Sequence, residues 1–203
     1  MVKNLIFDFG KVLVDYDFEA FFRKYVPDAR RCAAFTPVLY NEEVQRLLDR
    51  EDRPFDVIMD EIIASNREFE PEIRIFCERY QEIITGEIEG MRELLTRLKA
   101  EGYRLFGLSN WCSKVYRTIE QFEIFDLLEG YVVSSEEKLI KPEPEIYLRL
   151  LDKFSLKAEE CVFADDRTEN IEGCMRVGMR GIVFKNAKQY ETELREILRQ
   201  SNK

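Results

Sequence analysis

Three apolar runs in this chain end in residues able to do chemistry. Leu5-Ile6-Phe7 ends in Asp8, with Gly10 two places on. Leu105-Phe106-Gly107-Leu108 ends in Ser109-Asn110, and Cys161-Val162-Phe163-Ala164 ends in Asp165-Asp166, with Asn170 a turn further on. An acid closing a hydrophobic strand is costly unless it has a partner or work to do. Carboxylates converging from two strand ends make a hard, all-oxygen site suited to Mg²⁺. Ser109, Asn110 and backbone N–H groups supply neutral donors for an anion, and Lys141, in Lys138-Leu139-Ile140-Lys141-Pro142, supplies a fixed positive charge. Singly, each feature has a plain structural reading. A lone acid after a strand is commonly a turn or helix cap, Ser-Asn and Lys-Pro are ordinary loop and surface pairs, and Asp-Asp before a helix favours its dipole. Their succession after consecutive strands is what points to a site.

The rest of the composition narrows the chemistry. The 203 residues contain no histidine, which excludes Ser-His-Asp and Cys-His catalysis and His-ligated zinc. Acid-base and nucleophilic work must fall to carboxylates, lysines, tyrosines or metal-bound water. The net charge is −9 with no basic stripe, which argues against nucleic acid as a partner. An anionic small molecule needs only a local cation. The five cysteines show no CxxC spacing, and most sit in apolar patterns, as in a reduced cytoplasmic protein. No apolar run approaches the roughly 18 residues a membrane helix needs, and the N-terminus lacks a signal peptide's apolar region. The expected surroundings are therefore the cytoplasm, with no membrane partner and no assigned oligomeric partner.

The elements that must position these residues are legible as alternation. Strands are expected at Leu5–Phe7, Tyr103–Leu108, Tyr131–Val133, Cys161–Ala164 and Gly181–Phe184. Between the later ones lie helical patterns: Met91, Leu94, Leu95 and Leu98 ending at Gly102; Val115, Ile119 and Phe122 after Ser113 as N-cap; Ile146, Tyr147, Leu150 and Leu151 after Pro144; Ile171, Met175 and Val177 before Gly178. Such alternation predicts an α/β fold, a Rossmann-like parallel sheet flanked by helices. One gap breaks the rhythm: roughly ninety residues without a convincing strand separate the first two strands, where a crossover needs about a dozen. That stretch carries amphipathic patterns at Val44, Leu47 and Leu48, at Phe55, Ile58, Met59, Ile62 and Ile63, and, from Pro71, at Ile73, Phe76, Cys77, Tyr80 and Ile84. It reads as an inserted helical subdomain over residues 16–86, with the α/β core formed by 1–15 and 87–203. The insert is expected over the C-terminal end of the first strand, where open α/β sheets bind ligands. Phe18, Phe22, Tyr25 and Tyr40 are candidates to line the pocket.

The order of motifs resembles the haloacid dehalogenase-like hydrolase superfamily. The matching segments are Ile6-Phe7-Asp8-Phe9-Gly10-Lys11-Val12-Leu13-Val14-Asp15, Leu108-Ser109-Asn110, Lys141-Pro142-Glu143-Pro144-Glu145-Ile146-Tyr147, and Phe163-Ala164-Asp165-Asp166 through Asn170-Ile171-Glu172-Gly173. The insert resembles the family's small helical cap. The resemblance implies that Asp8 is the nucleophile, forming an aspartyl-phosphate. It implies Mg²⁺ held by Asp8, Asp165 and the main-chain carbonyl of Gly10, with Asp166 in or near the ligand shell. Ser109, the amide of Asn110, Lys141 and the Phe9-Gly10 segment would bind the phosphoryl group, and Asn170 would position Lys141 or the second carboxylate.

Gly10 departs from the commonest family pattern, which has a second aspartate there as general acid and base, help worth about 10²–10⁴-fold. The run Asp8-Phe9-Gly10-Lys11-Val12, followed by Asp15-Tyr16-Asp17-Phe18, resembles a subgroup similar to sugar-1-phosphate phosphatases. The leading expectation is a Mg²⁺-dependent phosphomonoester hydrolase of a small phosphorylated metabolite. Asp15, Asp17, Glu42 and Glu43 are candidates for the missing acid. Two alternatives share the fold: a catalytically weak or dead phosphate-ligand binder, and a metal-free 2-haloacid dehalogenase. The Asp165-Asp166 pair argues against the dehalogenase, because acids crowding Asp8 repel unless a cation sits among them.

Overall fold

The computed structural model describes residues 1–201. Strands β1 (Asn4–Phe7), β2 (Val14–Tyr16), β3 (Ile84–Glu87), β4 (Arg104–Ser109), β5 (Gly130–Val133), β6 (Cys161–Asp165) and β7 (Arg180–Val183) form two sheets. The main sheet has the order β5-β4-β1-β6-β7, and all its neighbours pair in parallel. β1 is thus central, with β4 on one side and β6 on the other. The chain winds outward in both directions from β1, which creates a crevice at the C-terminal ends of these three strands.

The strands read as continuous apolar runs because both faces are covered. Along β1, Leu5 and Phe7 face one cluster and Ile6 faces the other, as the two-residue period of a strand requires. On the first face lie Met91, Leu94, Leu95 and Leu98 of α6 (Met91–Ala100) and Tyr190 and Leu194 of α11 (Ala187–Ser201). On the second lie Ile146, Tyr147 and Leu150 of α9 (Pro144–Lys153) and Ile171 and Cys174 of α10 (Thr168–Arg176). Shorter helices α7 (Val115–Gln121) and α8 (Ser134–Glu137) follow β4 and β5.

Between β2 and β3 the chain forms a helical layer: α1 (Phe18–Tyr25), α2 (Ala29–Leu39), α3 (Glu42–Arg50), α4 (Phe55–Ser65) and α5 (Glu70–Arg79). Short polar side chains start the first three. Asp17 accepts from Ala20 N at 2.8 Å, Asp28 from Arg31 N at 2.7 Å, and Asn41 from Val44 N at 3.0 Å, each contributing about 1 kcal/mol as an N-cap. The apolar faces meet in an aromatic cluster where Phe22 packs on Phe35 and Phe76.

Several expectations need correction. The stretch between the first two core strands does contain strand: β2 and β3 pair antiparallel, Val14 opposite Glu87 and Asp15 opposite Gly86. Three- and four-residue strands are too short to show an alternating pattern. Ile84 belongs to β3, not to a helix opened by Pro71; that helix ends at Arg79, and a 3₁₀ turn, Tyr80–Ile83, separates the two. Ser113 does not cap α7, whose N-cap position is Lys114; the Ser113 amide instead donates to Glu51 Oε2 at 2.6 Å. The Tyr103–Leu108 run lies one residue later as β4, so Ser109 is itself the last strand residue. Among the described residues, no helix is long and apolar enough to cross a membrane, and all five cysteines are free.

Candidate active site

Asp8, Ser109 and Asp165 emerge side by side because parallel register aligns the ends of β1, β4 and β6. Phe7 is level with Gly107 and with Ala164. Gly107 is required here: a Cβ on it would lie 2.4 Å from Phe9 Cε1. Phe9, expected at the phosphate, sends its side chain into the core against Phe125 and Tyr131. Its amide donates to Asp8 Oδ1 at 2.7 Å, so its contribution is to orient that carboxylate.

Lys141 is the hub. It is almost wholly buried, and its three N–H donors meet three acceptors: Asp8 Oδ1 at 2.9 Å, Asp165 Oδ2 at 2.6 Å and Leu108 O at 3.0 Å. Burial alone would depress its pKa, but Asp165 and Asp8 outweigh that and raise it. Asn110 clasps the Lys141 main chain, accepting from its N at 2.8 Å and donating to its O at 3.0 Å. The Asn110 side chain is thereby committed to positioning Lys141.

Asp165 is fully buried and saturated. Asn170 Nδ2 donates to both its oxygens at 2.9 and 3.0 Å, Arg167 N donates to Oδ1 at 2.9 Å, and Lys141 occupies Oδ2. Asn170 is fixed in turn by Tyr147, whose hydroxyl donates to its main-chain O at 2.8 Å. Asp166, beside it, is exposed, and among the described residues no side-chain donor bonds its carboxylate.

Asp8, Asp165 and Asp166 each present an oxygen within 4.8 Å of the others. Burial is the main force raising the Asp8 carboxyl, with Asp165 and Asp166 adding to it and Lys141 opposing. Partial desolvation in the crevice and the neighbouring Asp165 likewise raise Asp166. Three acids this close favour a divalent cation among them. Ser109 Oγ is buried and, among the described residues, has no hydrogen-bond partner. A native protein seldom leaves a hydroxyl so unless something else fills the place.

Asp8, Ser109, Lys141 and Asp166, with Asp165 buried behind them, line an inner chamber of about 190 Å³. It joins an outer one of about 590 Å³ under α3, and Gln45, Asp49, Asn110, Lys141, Arg167 and Asn170 border both. That volume suits a small molecule.

The model of the haloacid dehalogenase-like hydrolase family matches residues 5–184. The chain belongs to that family. It is 34% identical over 110 residues to a glyceraldehyde 3-phosphate phosphatase of Pyrococcus furiosus, a match covering 53% of this chain and only 46% of the archaeal protein. It is 26% identical over 182 residues to flavin mononucleotide hydrolase 1 of Arabidopsis thaliana, covering 89% of this chain and 70% of the plant protein. Among solved structures, a haloacid dehalogenase family enzyme of Bacteroides thetaiotaomicron, in complex with magnesium and inorganic phosphate, superposes with a TM-score of 0.73 over 92% of this chain and 96% of its own, at 21% identity. At that identity the likeness is one of fold.

Within this haloacid dehalogenase-like hydrolase the space beside Gly10 is not empty. A Cβ on Gly10 would lie 2.8 Å from Tyr16 Cε1, with Trp111 Cζ3 at 3.8 Å. The Tyr16 ring, held edge-on to Phe18 and Trp111, stands where a second aspartate would begin. None of the four acids expected to replace it lies in the inner chamber. Asp15 pairs with Lys11 at 2.5 Å and accepts from Tyr16 N, Asp17 caps α1, Glu42 borders only the outer chamber, and Glu43 faces a separate surface groove. Of the aromatics, Phe18 and Tyr40 wall the inner chamber. Phe22 is core, and Tyr25 is turned away to Glu82. Sequence reasoning missed Asp49. The signal was present: Glu42, Gln45, Arg46 and Asp49 recur at helical spacing, a polar stripe on the helix that also carries Val44, Leu47 and Leu48.

Proposed function

We propose that this chain is a Mg²⁺-dependent phosphomonoesterase that acts on a small phosphorylated metabolite through an aspartyl-phosphate on Asp8. The observation that carries this reading is a carboxylate at the end of the central strand flanked by a buried lysine at 2.9 Å and a buried serine hydroxyl without a partner. An Asp8 oxygen attacks phosphorus, and the bond to the leaving oxygen breaks as that oxygen gains a proton. Water then attacks the aspartyl-phosphate, and phosphate leaves with Asp8 restored. Ser109 and the Asn110 main-chain amide hold the phosphoryl oxygens, and Lys141, its three donors on Asp8, Asp165 and Leu108 O, supplies fixed positive charge beside them as charge spreads in the transition state.

The three-carboxylate cluster fits Mg²⁺. When bound, the ion supplies positive charge that lets an anionic carboxylate meet an anionic phosphate. Because the acceptors of Asp165 are taken by Lys141, Asn170 and Arg167 N, we assign the ion to Asp8, Asp166 and the Gly10 carbonyl. Asp165 then anchors Lys141 instead of serving as the primary ligand that the family resemblance implied. We read the helical layer, residues 16–86, as a cap that joins the core through β2 and β3. The polar lining of the outer chamber, Glu42 and Gln45 among it, suits a hydroxyl-bearing leaving group such as a sugar, and the triose-phosphate phosphatase among its relatives supports that reading. The free cysteines suit a reducing compartment such as the cytoplasm.

Purified protein assayed with an aryl phosphate in Mg²⁺ should release phosphate and stop on chelation with EDTA. A panel of sugar, nucleotide and cofactor phosphates then ranks substrates, with a sugar phosphate expected first. Metal-independent chloride release from 2-chloropropionate would overturn the reading in favour of dehalogenation. Inertness across the panel with retained phosphate binding would make the chain a binder.

A further inference from the structure

Asp8, Ser109, Lys141 and Asp166 leave the proton transfers without an owner. Cleaving an alkyl phosphate requires a proton on the leaving oxygen, and cleaving the aspartyl-phosphate requires a base for water. Gly10 has no side chain, and the Tyr16 ring occupies the space one would need. The opposite wall, on the side where the inner chamber continues into the outer one, is where a donor has room to meet a leaving group.

α3 forms that wall, and its C-terminal turn is fastened to the core. Ser134 Oγ donates to Asp49 O at 2.5 Å, Arg50 Nη2 pairs with Glu143 at 2.6 Å, and Lys138 Nζ donates to Glu51 O. Glu51 is buried, in the left-handed region at φ 46°, and its carboxylate accepts the Ser113 amide. These contacts come from three core segments, around Ser113, α8 and Glu143, and leave the half-buried Asp49 side chain lining both chambers. It shares the inner one with Asp8, Gly10 and Ser109.

We propose that Asp49 is the acid-base residue of the reaction, standing in from the helical layer for the side chain that Gly10 lacks; this rests on the phosphatase reading above. In the first step the Asp49 carboxyl gives its proton to the leaving oxygen as the phosphorus–oxygen bond breaks. In the second, the Asp49 carboxylate takes a proton from the water that attacks phosphorus, and the cycle ends with Asp49 protonated, Asp8 free and phosphate released. Burial raises the Asp49 carboxyl to about 7 against the opposing pull of Lys141 and Arg167, which places it where one group can both give and take a proton near neutrality.

The test uses the full chain with Mg²⁺ and two substrate types: glycerol phosphates, whose leaving alkoxide needs a proton, and an aryl phosphate, whose leaving phenolate does not. Asp49→Asn should lower kcat on the alkyl substrates by about 10²–10⁴-fold. With the aryl substrate, a first-turnover burst of phenol should be followed by slow release, and mass spectrometry should find a phosphoryl group accumulated on Asp8. A uniform rise in KM without accumulation would reduce Asp49 to a substrate contact and overturn the proposal, as would alkyl turnover within a few-fold of the wild type. A second measurement needs no variant. Across phosphates of graded leaving-group basicity, wild-type kcat/KM should be nearly flat, and a steep decline would overturn the role. Failure of the wild type on every phosphate would instead sink the phosphatase reading itself.

Discussion

Two walls face each other across the chamber, and they are built differently. On the strand wall, Lys141 and Asp165 lie 2.6 Å apart with almost no exposure, and every donor and acceptor between them is matched. On the α3 wall, Gln45 and Asp49 are half-buried and bordered by open volume. The strand wall is held by backbone register, which admits no gradual adjustment. The helical wall is held by side-chain and loop contacts such as Arg50–Glu143 and Ser134–Asp49. A rigid wall suits the phosphoryl group, whose geometry is the same in every substrate. An adaptable wall suits the leaving group, which is where substrates differ.

If this division holds, removing the nucleophile should cost most. Asp8→Asn is expected to lower turnover by about 10⁴-fold or more, with the fold kept because Lys141 retains Asp165; phosphate release and a thermal melt check both halves. Residual turnover near wild type would refute the role of Asp8. Lys141→Met should come next. It leaves two buried carboxylates with no cation between them, which should cost about 3–5 kcal/mol in urea unfolding along with activity. A loss of activity at unchanged stability would mean that the strand wall does not depend on its ion pairs.

The α3 wall has its own signature in pH. The proton donor must be protonated, so kcat on an alkyl phosphate should fall about tenfold per unit above the pKa of Asp49, which lies at about 7. Asp49→Asn should lose that limb. The charged and titratable groups around Asp49 are Lys141, Arg167, Tyr16, Tyr80 and Cys112, with Asp8 and Asp166 in the same chamber; raised tyrosine and cysteine pKa values keep Tyr16, Tyr80 and Cys112 neutral over this range. Stability follows the same sign. The carboxyl rises from 3.8 to about 7 on folding, so the folded state favours its proton. The contribution is intact below the lower value and is lost as pH climbs through the upper one, a slope that urea titration should find reduced in Asp49→Asn.

Smaller effects sharpen the contrast. Gly10→Asp restores the common family residue but meets the Tyr16 ring at 2.8 Å, so it should cost about 1–3 kcal/mol by overpacking and gain no turnover. A Gly10→Asp/Tyr16→Ala pair should recover stability relative to the single change. Arg50→Ala, at a partly exposed ion pair with Glu143, should cost no more than about 1 kcal/mol in unfolding.

The expected strands lay within a residue or two of β1, β4, β5, β6 and β7 because each is a buried apolar run, and burial on both faces writes itself into composition. What escaped was short or shared. β2 and β3 have too few residues to show a period. Asp165 and Asp166 are neighbours of identical type, and only the positions of Lys141, Asn170 and Arg167 N tell the saturated carboxylate from the exposed one. Phe9 looked like part of the site by its place in the chain, yet its ring packs over Gly107 and into the core.

By itself the sequence determined the chemistry on offer: no histidine, and acids, a serine and a lysine following successive strands that parallel pairing must bring to one edge. That inference is local, since a strand end and a sheet edge follow from general rules. Only the tertiary structure decided who faces whom. The ring beside Gly10 comes from Tyr16, six residues away, and the acid proposed for the proton transfers comes from α3, whose rotation is set by Ser113, Ser134, Lys138 and Glu143 in distant segments. Such placement depends on contacts between segments far apart in the chain, and a helix's polar stripe does not say in advance which of its acids will look inward.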